Sequence, residues 1–444
     1  MSDFIGPETA RAILNWGEGN TPYCLIKAYA EVKKAALTAA NEVSSIFPPE
    51  VFTILIKVLD EIIAGEHNNL FKLPLKQGGA GTSLNMNLNE VITHLVNSRC
   101  EVFKVDSLEH INKFQSTNDT FNTAVTIIFL RHLEGVEKMV IELQEILVEK
   151  ERSFSNILVT GRTEMISALP MTFGQVFSSY AGSIERDRWR FNKIKERVRP
   201  SVLGGTAIGT CFSAPSKYLF SAEKQLRSIT GLSLPRSQNL ISDISMCDKF
   251  VEAGSVYDAL SNTLFKMASD FTIYISKGEM IHPELQYGSS IMPMKTNPVL
   301  LEFIKGLSID ISLESRKISE YSRNGQLQLN AFLPFILDSE ITIYNSITKA
   351  LDGLIMFISN LKLDENIIKK NLYSSGAIVN SLRPYCEYSK LKELSQIITN
   401  ESPRTIDEII EILINNSDLK RDFLEEYLKP GGFTSFLKIT KEGL

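Results

Sequence analysis

The segment 288–298, which reads GSSIMPMKTNP, concentrates groups that bind anions. A glycine that tolerates unusual backbone angles is followed directly by two hydroxyl groups, Ser289 and Ser290. A cation at Lys295 and an amide at Asn297 come next, ahead of a predicted long helix. Such a loop is able to close over an anion and to donate hydrogen bonds to it. The simpler alternative is a glycine turn beside a solvated lysine.

Four further segments carry glycine or hydroxyl groups near the ends of stretches predicted to be helical. They are 78–90 (GGAGTSLNMNLNE), 115–119 (QSTND), 160–163 (TGRT) and 204–210 (GGTAIGT). The four residues 116–119, which are Ser116, Thr117, Asn118 and Asp119, have the types that cap the start of a helix. A helix N-terminus with free amides is also an anion site, so both roles are expected of them. Thr82 is either an ordinary turn residue or a similar donor.

Composition excludes several function classes. The 444 residues carry a net charge of −5 and no long run of Lys and Arg, so no nucleic-acid partner is expected. The five cysteines are far apart and no two histidines have metal-ligand spacing, so we predict free thiols, no metal and no cofactor. The sequence contains no secretory signal pattern and no apolar run of about eighteen residues. We therefore expect a cytoplasmic protein without a membrane span.

Long helices must carry these segments. Proline is absent from 75–169, 236–282 and 335–383, and it costs about 3 kcal/mol inside a helix. Apolar residues recur at helical spacing across 125–143 and 341–358. This pattern predicts a mainly α fold with a helical bundle. The broad apolar faces favour an oligomer, with a self-contained monomeric array as the alternative.

In their order, the five segments resemble the motifs of the aspartase/fumarase family, and the resemblance covers almost the whole chain. Three further pieces look more like the aspartase branch than the fumarase branch. They are 76–79 (KQGG), 283–286 (PELQ) and 325–330 (GQLQLN). The resemblance implies three mainly helical domains, at about 1–115, 116–368 and 369–444. It also implies a homotetramer whose long central helices form one bundle, with each active site built from three subunits.

The resemblance further implies a function and a set of site residues. The expected reaction is elimination of ammonia or an amine from a small dicarboxylic amino acid, without a cofactor, through an aci-carboxylate intermediate. Ser289 matches the base that takes the proton. The donors to the aci-carboxylate match Thr82, Ser116, Thr117 and Ser290. Lys295, Asn297 and Thr163 match positions that hold the other carboxylate, and Asn118 with Thr117 matches contacts near the amine.

Two positions depart from the family pattern. Glu164 follows Arg-Thr where the family has histidine or glutamine, and Ser167 stands where aspartate is usual. In the family, the residue at position 164 pairs with an acidic residue that corresponds to Glu302. Two facing carboxyl groups would share a proton or a cation, unless Glu164 points into solvent. A fumarase-type C–O lyase and a non-catalytic paralogue therefore stay as alternatives.

Overall fold

The computed structural model describes residues 4–285, 291–292 and 295–434. Most of them are helical, and the prediction of a mainly α fold is confirmed. The helices are α1 Pro7–Trp16, α2 Tyr23–Ser44, α3 Pro49–Ala64, α4 Thr82–Asn97, α5 Thr117–Ser153, α6 Phe173–Val198, α7 Ser216–Thr230, α8 Leu240–Ser245, α9 Asp248–Ser276, α10 Val299–Ser322, α11 Leu333–Asn360, α12 Glu365–Tyr373, α13 Ala377–Ser381, α14 Tyr388–Glu401, α15 Ile406–Asn415, α16 Arg421–Tyr427 and α17 Pro430–Thr434. The strands are β1 Leu158–Thr163, β2 Ile166–Thr172, β3 Met280–Ile281 and β4 Lys362–Leu363.

The proline-free intervals contain long helices, as predicted. α5 has 37 residues, α9 has 29 and α11 has 28. The apolar stripe expected on α5 is buried from Val125 to Leu143, except that Met139 is half-buried. On α11, Ile343 and Ile347 are buried while Ile341 is half-buried. The helical period therefore identified the core-facing side of both helices.

The chain forms two compact units, and neither is continuous in sequence. The first comprises Met1–Lys138, Trp189–Ser261 and Ile309–Thr348, and the second comprises the rest. Helices α5, α6, α9, α10 and α11 contribute residues to both units. The three domain ranges expected from the family resemblance stay a prediction.

Three long helices meet in the first unit at a buried polar junction. The Tyr257 hydroxyl on α9 donates to Oε1 of Glu340 on α11 at 2.9 Å, and Glu340 is fully buried. His132 Nδ1 on α5 lies 3.3 Å from the same oxygen, and its ring stacks on Tyr344. Among the described residues, Glu340 Oε2 has no hydrogen-bond partner. Burial raises the pKa of Glu340, although His132 and Tyr257 oppose the shift.

Helix α11 is the one described segment that is long and apolar enough to cross a bilayer. Several of its apolar residues have no exposed surface, among them Ile336, Ile343 and Leu354, and it carries the buried Glu340. These features are typical of the core helix of a folded domain. The expectation that the protein has no membrane span stays a prediction.

The segment 160–163, expected to be a loop between helices, is instead the end of a β-strand. β1 pairs with β2 as an antiparallel hairpin in the second unit. The pairing register shifts between Thr160 and Arg162, so one strand bulges. A Cβ at Gly161 would lie 2.8 Å from the Leu169 carbonyl oxygen, and glycine is therefore required at this close approach.

A buried ion pair anchors this hairpin. Arg162 Nη1 and Nη2 donate to the two carboxylate oxygens of Glu279 at 2.9 and 2.5 Å, and Glu279 is fully buried. Asn371 on α12 also donates to Glu279 Oε1, at 2.9 Å. Removing one partner of such a pair typically costs about 3–5 kcal/mol, because the other charge is left buried. The hairpin is thus held firmly close to its turn, since Arg162 directly precedes Thr163, the last residue of β1.

The C-terminal helices α12 to α17 have an apolar core of their own within the second unit. It includes Leu372, Val379, Leu394, Ile409 and Leu424, all with 1% or less of their surface exposed. Leu158 of β1 packs against this cluster, so the hairpin and the C-terminal helices are joined by apolar contact as well.

We predict that Glu340→Gln stabilises the protein at pH 8 by about 1 kcal/mol, or about 2 °C in Tm. A carboxyl group whose pKa is raised by folding favours the folded state only while it stays protonated, and this stability is lost as pH rises above about 4.3. The gain from Glu340→Gln should therefore shrink toward pH 5 in thermal unfolding. Glu279→Gln, at an equally buried but paired glutamate, should destabilise instead. If the change in stability caused by Glu340→Gln does not depend on pH, the pKa of Glu340 is not raised by folding.

Candidate active site

The starts of α4 and α5 are packed together in the first unit. Gly81, which precedes α4, has a φ of 88°, and a Cβ at this position would lie 2.8 Å from the Phe121 ring of α5. Thr82 is the first residue of α4 and is exposed, and its hydroxyl donates to the Gly79 carbonyl at 2.8 Å. The helix dipoles concentrate positive potential at these two N-termini. Thr82 and Thr117, which the sequence predicted as donors, are therefore the first residues of two neighbouring helices.

Residues 116–119 form a capping box at the start of α5. The Ser116 hydroxyl oxygen accepts from the Asn118 amide at 3.3 Å, and the Ser116 amide donates to Asp119 Oδ1 at 2.9 Å. The capping role considered from the sequence is thus confirmed for Ser116 and Asp119. It leaves the hydroxyl proton of Ser116 able to donate to a bound anion. Thr117 is 8% exposed, at the first position of the helix.

The segment 204–210 docks against this first turn through Asp119, which is fully buried. Asp119 Oδ2 accepts from the amides of Gly204 at 2.9 Å and Thr206 at 3.1 Å. Burial raises the pKa of Asp119 to about 6, because the desolvation of the carboxylate outweighs the hydrogen bonds that favour its ionised form. Asn118 Nδ2 donates to the Ala207 carbonyl at 2.7 Å. Two sequence motifs, 115–119 and 204–210, are therefore one structural unit.

A buried polar network lies behind these two helix starts. The Tyr29 hydroxyl on α2 donates to Asn85 Oδ1 at 2.9 Å, and Asn85 Nδ2 donates to Asn112 Oδ1 at 3.2 Å. Lys33 Nζ donates to the same Asn112 oxygen and to Gln115 Oε1. Lys33 is not among the site residues predicted from the sequence. The signal that marks it is a lysine four residues after Tyr29, on the buried face of α2.

In the second unit, Thr163 and Glu164 lie at the exposed tip of the hairpin. Glu164 and Met165 are its two turn residues, and both have positive φ, 49° and 70°. Positive φ at both positions is typical of a type I′ turn. The left-handed conformation costs about 1 kcal/mol at each of these positions, because neither residue is glycine.

Lys295 and Asn297 precede the start of α10 and are exposed. The Val299 amide donates to the Asn297 carbonyl at 2.8 Å, which leaves the Asn297 side chain outside that turn. Ser289 and Ser290 lie outside the described residues, so their roles stay predictions. Glu302, on the first turn of α10, is exposed, as is Glu164. The pairing of these two carboxyl groups also stays a prediction.

One group of described residues has the distances of a metal site: Glu61, Glu66 and His67. Glu61 already accepts hydrogen bonds from Arg99 at 2.8 and 2.7 Å and contacts His67 at 2.9 Å. The Arg99 hydrogen bonds lower the pKa of Glu61 to about 2, although burial opposes them. The guanidinium thus neutralises this carboxylate, and the group is an ion-pair network.

The whole chain is similar to proteins of known activity. A family model described as Lyase matches residues 16–313. The aspartate ammonia-lyase of Helicobacter pylori (strain ATCC 700392 / 26695) is 30% identical over 97% of this chain and 94% of that protein. The class II fumarate hydratase of Wigglesworthia glossinidia brevipalpis is also 30% identical, over 95% and 92%. A solved structure, the fumarate lyase:delta crystallin of Brucella melitensis bound to cobalt, matches with a TM-score of 0.88 at 28% identity, over 96% of this chain and 95% of that one.

We predict that Asp119→Asn lowers the free energy of unfolding by about 1–3 kcal/mol. The carboxylate now accepts hydrogen bonds from three backbone amides. The NH₂ group of an asparagine would face at least one of these amides, so a buried donor would lose its partner. Denaturant unfolding measures the loss, and hydrogen exchange at Gly204 and Thr206 should accelerate. Asp106→Asn is the matched control, because Asp106 accepts two backbone amides in an exposed turn. If both variants lose less than about 0.5 kcal/mol, the anchoring role of Asp119 is wrong.

Proposed function

The chain belongs to the Lyase family, together with aspartate ammonia-lyases and class II fumarate hydratases, and we propose that it is a carbon–nitrogen lyase. In this proposal it eliminates ammonia, or a related amine, from an aspartate-like acid to give fumarate or an analogue. The observation that carries the proposal is the pair of docked helix N-termini with Thr82, Ser116 and Thr117 at their openings. Helix N-termini and hydroxyl groups at this place suit a carboxylate that gains negative charge, with the Thr82 hydroxyl turning from the Gly79 carbonyl to join Ser116 and Thr117.

The chemistry follows from where charge develops. The proposed base, Ser289, takes a proton from the carbon beside the reacting carboxylate, and the electron pair moves onto that carboxylate. The resulting aci-carboxylate carries two negative charges, which the proposed donors at Thr82, Ser116, Thr117 and Ser290 would stabilise. The pair then returns to form the carbon–carbon double bond as the carbon–nitrogen bond breaks. A serine is a weak base at its free pKa, so closure of the loop and exclusion of water are part of the proposal.

Lys295, Asn297 and Thr163 would hold the second carboxylate. All three side chains, exposed in the single chain, carry donors, and Lys295 adds a positive charge. Asn118 has one amide proton committed to Ala207 and keeps its carbonyl oxygen for an ammonium group. This division of roles is the one that the family resemblance implies.

A fumarase-type C–O lyase is the second candidate, because an aspartate ammonia-lyase and a class II fumarate hydratase match this chain at the same 30% identity. A non-catalytic paralogue is a third, favoured by the acidic Glu164. Absorbance near 240 nm reports the new conjugated double bond, so incubation with aspartate and with malate in separate reactions discriminates among the three. A rise with aspartate alone supports our proposal.

The proposal includes a cytoplasmic homotetramer. The exposed apolar residues Ile309 and Leu313 on α10, at 52% and 58%, support an oligomer, because they leave an apolar stretch of a long helix open to a partner. Sharing of each active site among subunits is the corresponding expectation from the family.

Ser289→Ala should abolish turnover and leave the melting temperature nearly unchanged, since a loop substitution typically costs under about 0.5 kcal/mol. Initial rates at 240 nm and thermal unfolding measure the two effects. Thr296→Ala, which removes another hydroxyl from the same motif, is the matched control and should keep its activity. Residual kcat above about a tenth of wild type, a barrier change under about 1.4 kcal/mol, would exclude Ser289 as the base.

Glu164→Gln separates two forms of the expected pairing with Glu302. If the carboxyl groups share a proton, Glu164 acts as a neutral donor, and the variant should keep or raise kcat/KM for aspartate. If they share a cation on the substrate, the loss should be about tenfold or more and confined to analogues that bear a second amine or a guanidine. Rates with aspartate and with such analogues, measured across pH, give the answer.

Met165→Gln is the control for this experiment, because Met165 shares the turn and its positive φ but carries no charge. It should leave the pattern of preferred substrates unaltered. Unchanged kcat/KM and pH profiles in Glu164→Gln for every substrate would show that Glu164 merely points into solvent.

A further inference from the structure

Lys33 lies within α2 with none of its side chain exposed. Its Nζ donates to Asn112 Oδ1 at 3.2 Å and to Gln115 Oε1 at 3.0 Å, and it lies 5.7 Å from the centre of the Tyr29 ring. These three partners are neutral. A buried ammonium group is costly unless an opposite charge compensates it. The environment of Lys33 therefore requires an explanation.

The carboxylates nearby are already engaged. Glu31, two residues earlier on α2, forms a bidentate ion pair with Arg131. The charge of Asp119 raises the pKa of Lys33. However, the oxygens of Asp119 already accept hydrogen bonds from three backbone amides. Burial is the larger effect and lowers the pKa of Lys33 to about 7. Its ammonium form is thus incompletely compensated in the free chain.

The two hydrogen-bond partners of Lys33 adjoin the segments that form the proposed carboxylate site. Gln115 is the residue immediately before Ser116, so the bond to Gln115 fixes the entry to α5. Asn112 Oδ1 also accepts from Asn85 and Asn89 on α4, the helix that Thr82 begins. A single ammonium group therefore contacts, through neutral amides, the segments that carry both sets of donors.

We propose that Lys33 is a positioning residue whose charge is compensated by a dicarboxylate bound at the N-termini of α4 and α5. This inference rests on the proposed function. Lys33 is buried, so it does not touch the ligand. It orients the donors through Asn112 and Gln115 and attracts the anion through the buried, poorly solvated region that surrounds it. The bound anion in turn favours the ammonium form, so ligand binding should be accompanied by proton uptake.

Calorimetric titration of the full-length protein with succinate tests the inference. Succinate is a four-carbon dicarboxylate without an amine to eliminate, so binding is measured without turnover. Titrations at pH 7.5 in two buffers with different ionisation enthalpies give the protons taken up per site. The wild-type protein should take up about half a proton or more, because a group with a pKa near 7 is then largely neutral before binding.

Two variants separate the charge from the packing. Lys33→Met removes the charge and the hydrogen bonds, and Lys33→Gln keeps a donor for Asn112 or Gln115 without the charge. Both should weaken succinate binding about tenfold or more and abolish the proton uptake. A purely structural lysine would change the melting temperature without changing the proton count.

Lys249→Met is the matched control. Lys249 is also buried in the first unit, where it donates to Thr126 Oγ1 and the Pro200 carbonyl, and burial lowers its pKa to about 8. This variant should retain wild-type affinity and proton uptake.

Wild-type affinity and proton uptake in Lys33→Gln would overturn the inference about Lys33 and leave the proposed function intact. Failure of the wild-type protein itself to bind succinate or aspartate would overturn both.

Discussion

One buried carboxylate organises the best-defined part of the candidate site. Asp119 accepts hydrogen bonds from the backbone amides of Ser116, Gly204 and Thr206. It therefore completes the capping box of α5 and holds the segment 204–210 against the same helix turn. A carboxylate is suited to this task because its two oxygens accept several donors at once, which an amide side chain does not do. Its burial opposes ionisation, and the three amides offset part of that cost. The positions of Ser116, Thr117 and Asn118 all follow from this arrangement.

Positive potential accumulates around the same carboxylate. The starts of α4 and α5 pack together at Gly81 and Phe121, and a lysine with neutral partners lies behind them. Each contribution alone is modest, since a helix N-terminus typically stabilises an anion by up to about 2 kcal/mol. Together they favour the binding of an anion at these two helix starts. An enzyme that must stabilise a dianionic intermediate has use for such a place, because the donors are oriented before the reaction begins.

The sequence predicted what depends on local pattern. The apolar stripe on α5 and the capping residues Ser116 and Asp119 follow from spacing within one helix, and both predictions are confirmed. The strand nature of 160–163 was missed, because its pairing with β2 is set by a turn of two residues with positive φ, neither of which is a glycine. Lys33 was missed for a different reason: its partners Asn112 and Gln115 are remote in sequence, and only folding brings them together. The Ser289 loop was found by motif alone, and its geometry lies outside the described residues.

The hairpin tip has a consequence for how such a site can diversify. Glu164 and Met165 are the whole of the turn, and side chains alternate between faces along each strand. An insertion of one residue here would need a different turn to keep the strand register, and a slipped register would turn the following side chains to the opposite face. The buried pair of Arg162 and Glu279 penalises such a shift further. Descendants of this sequence are therefore free to exchange the side chain at position 164 but not to lengthen the loop that bears it. Selection can revise the chemistry at this point one substitution at a time, on a backbone of fixed length.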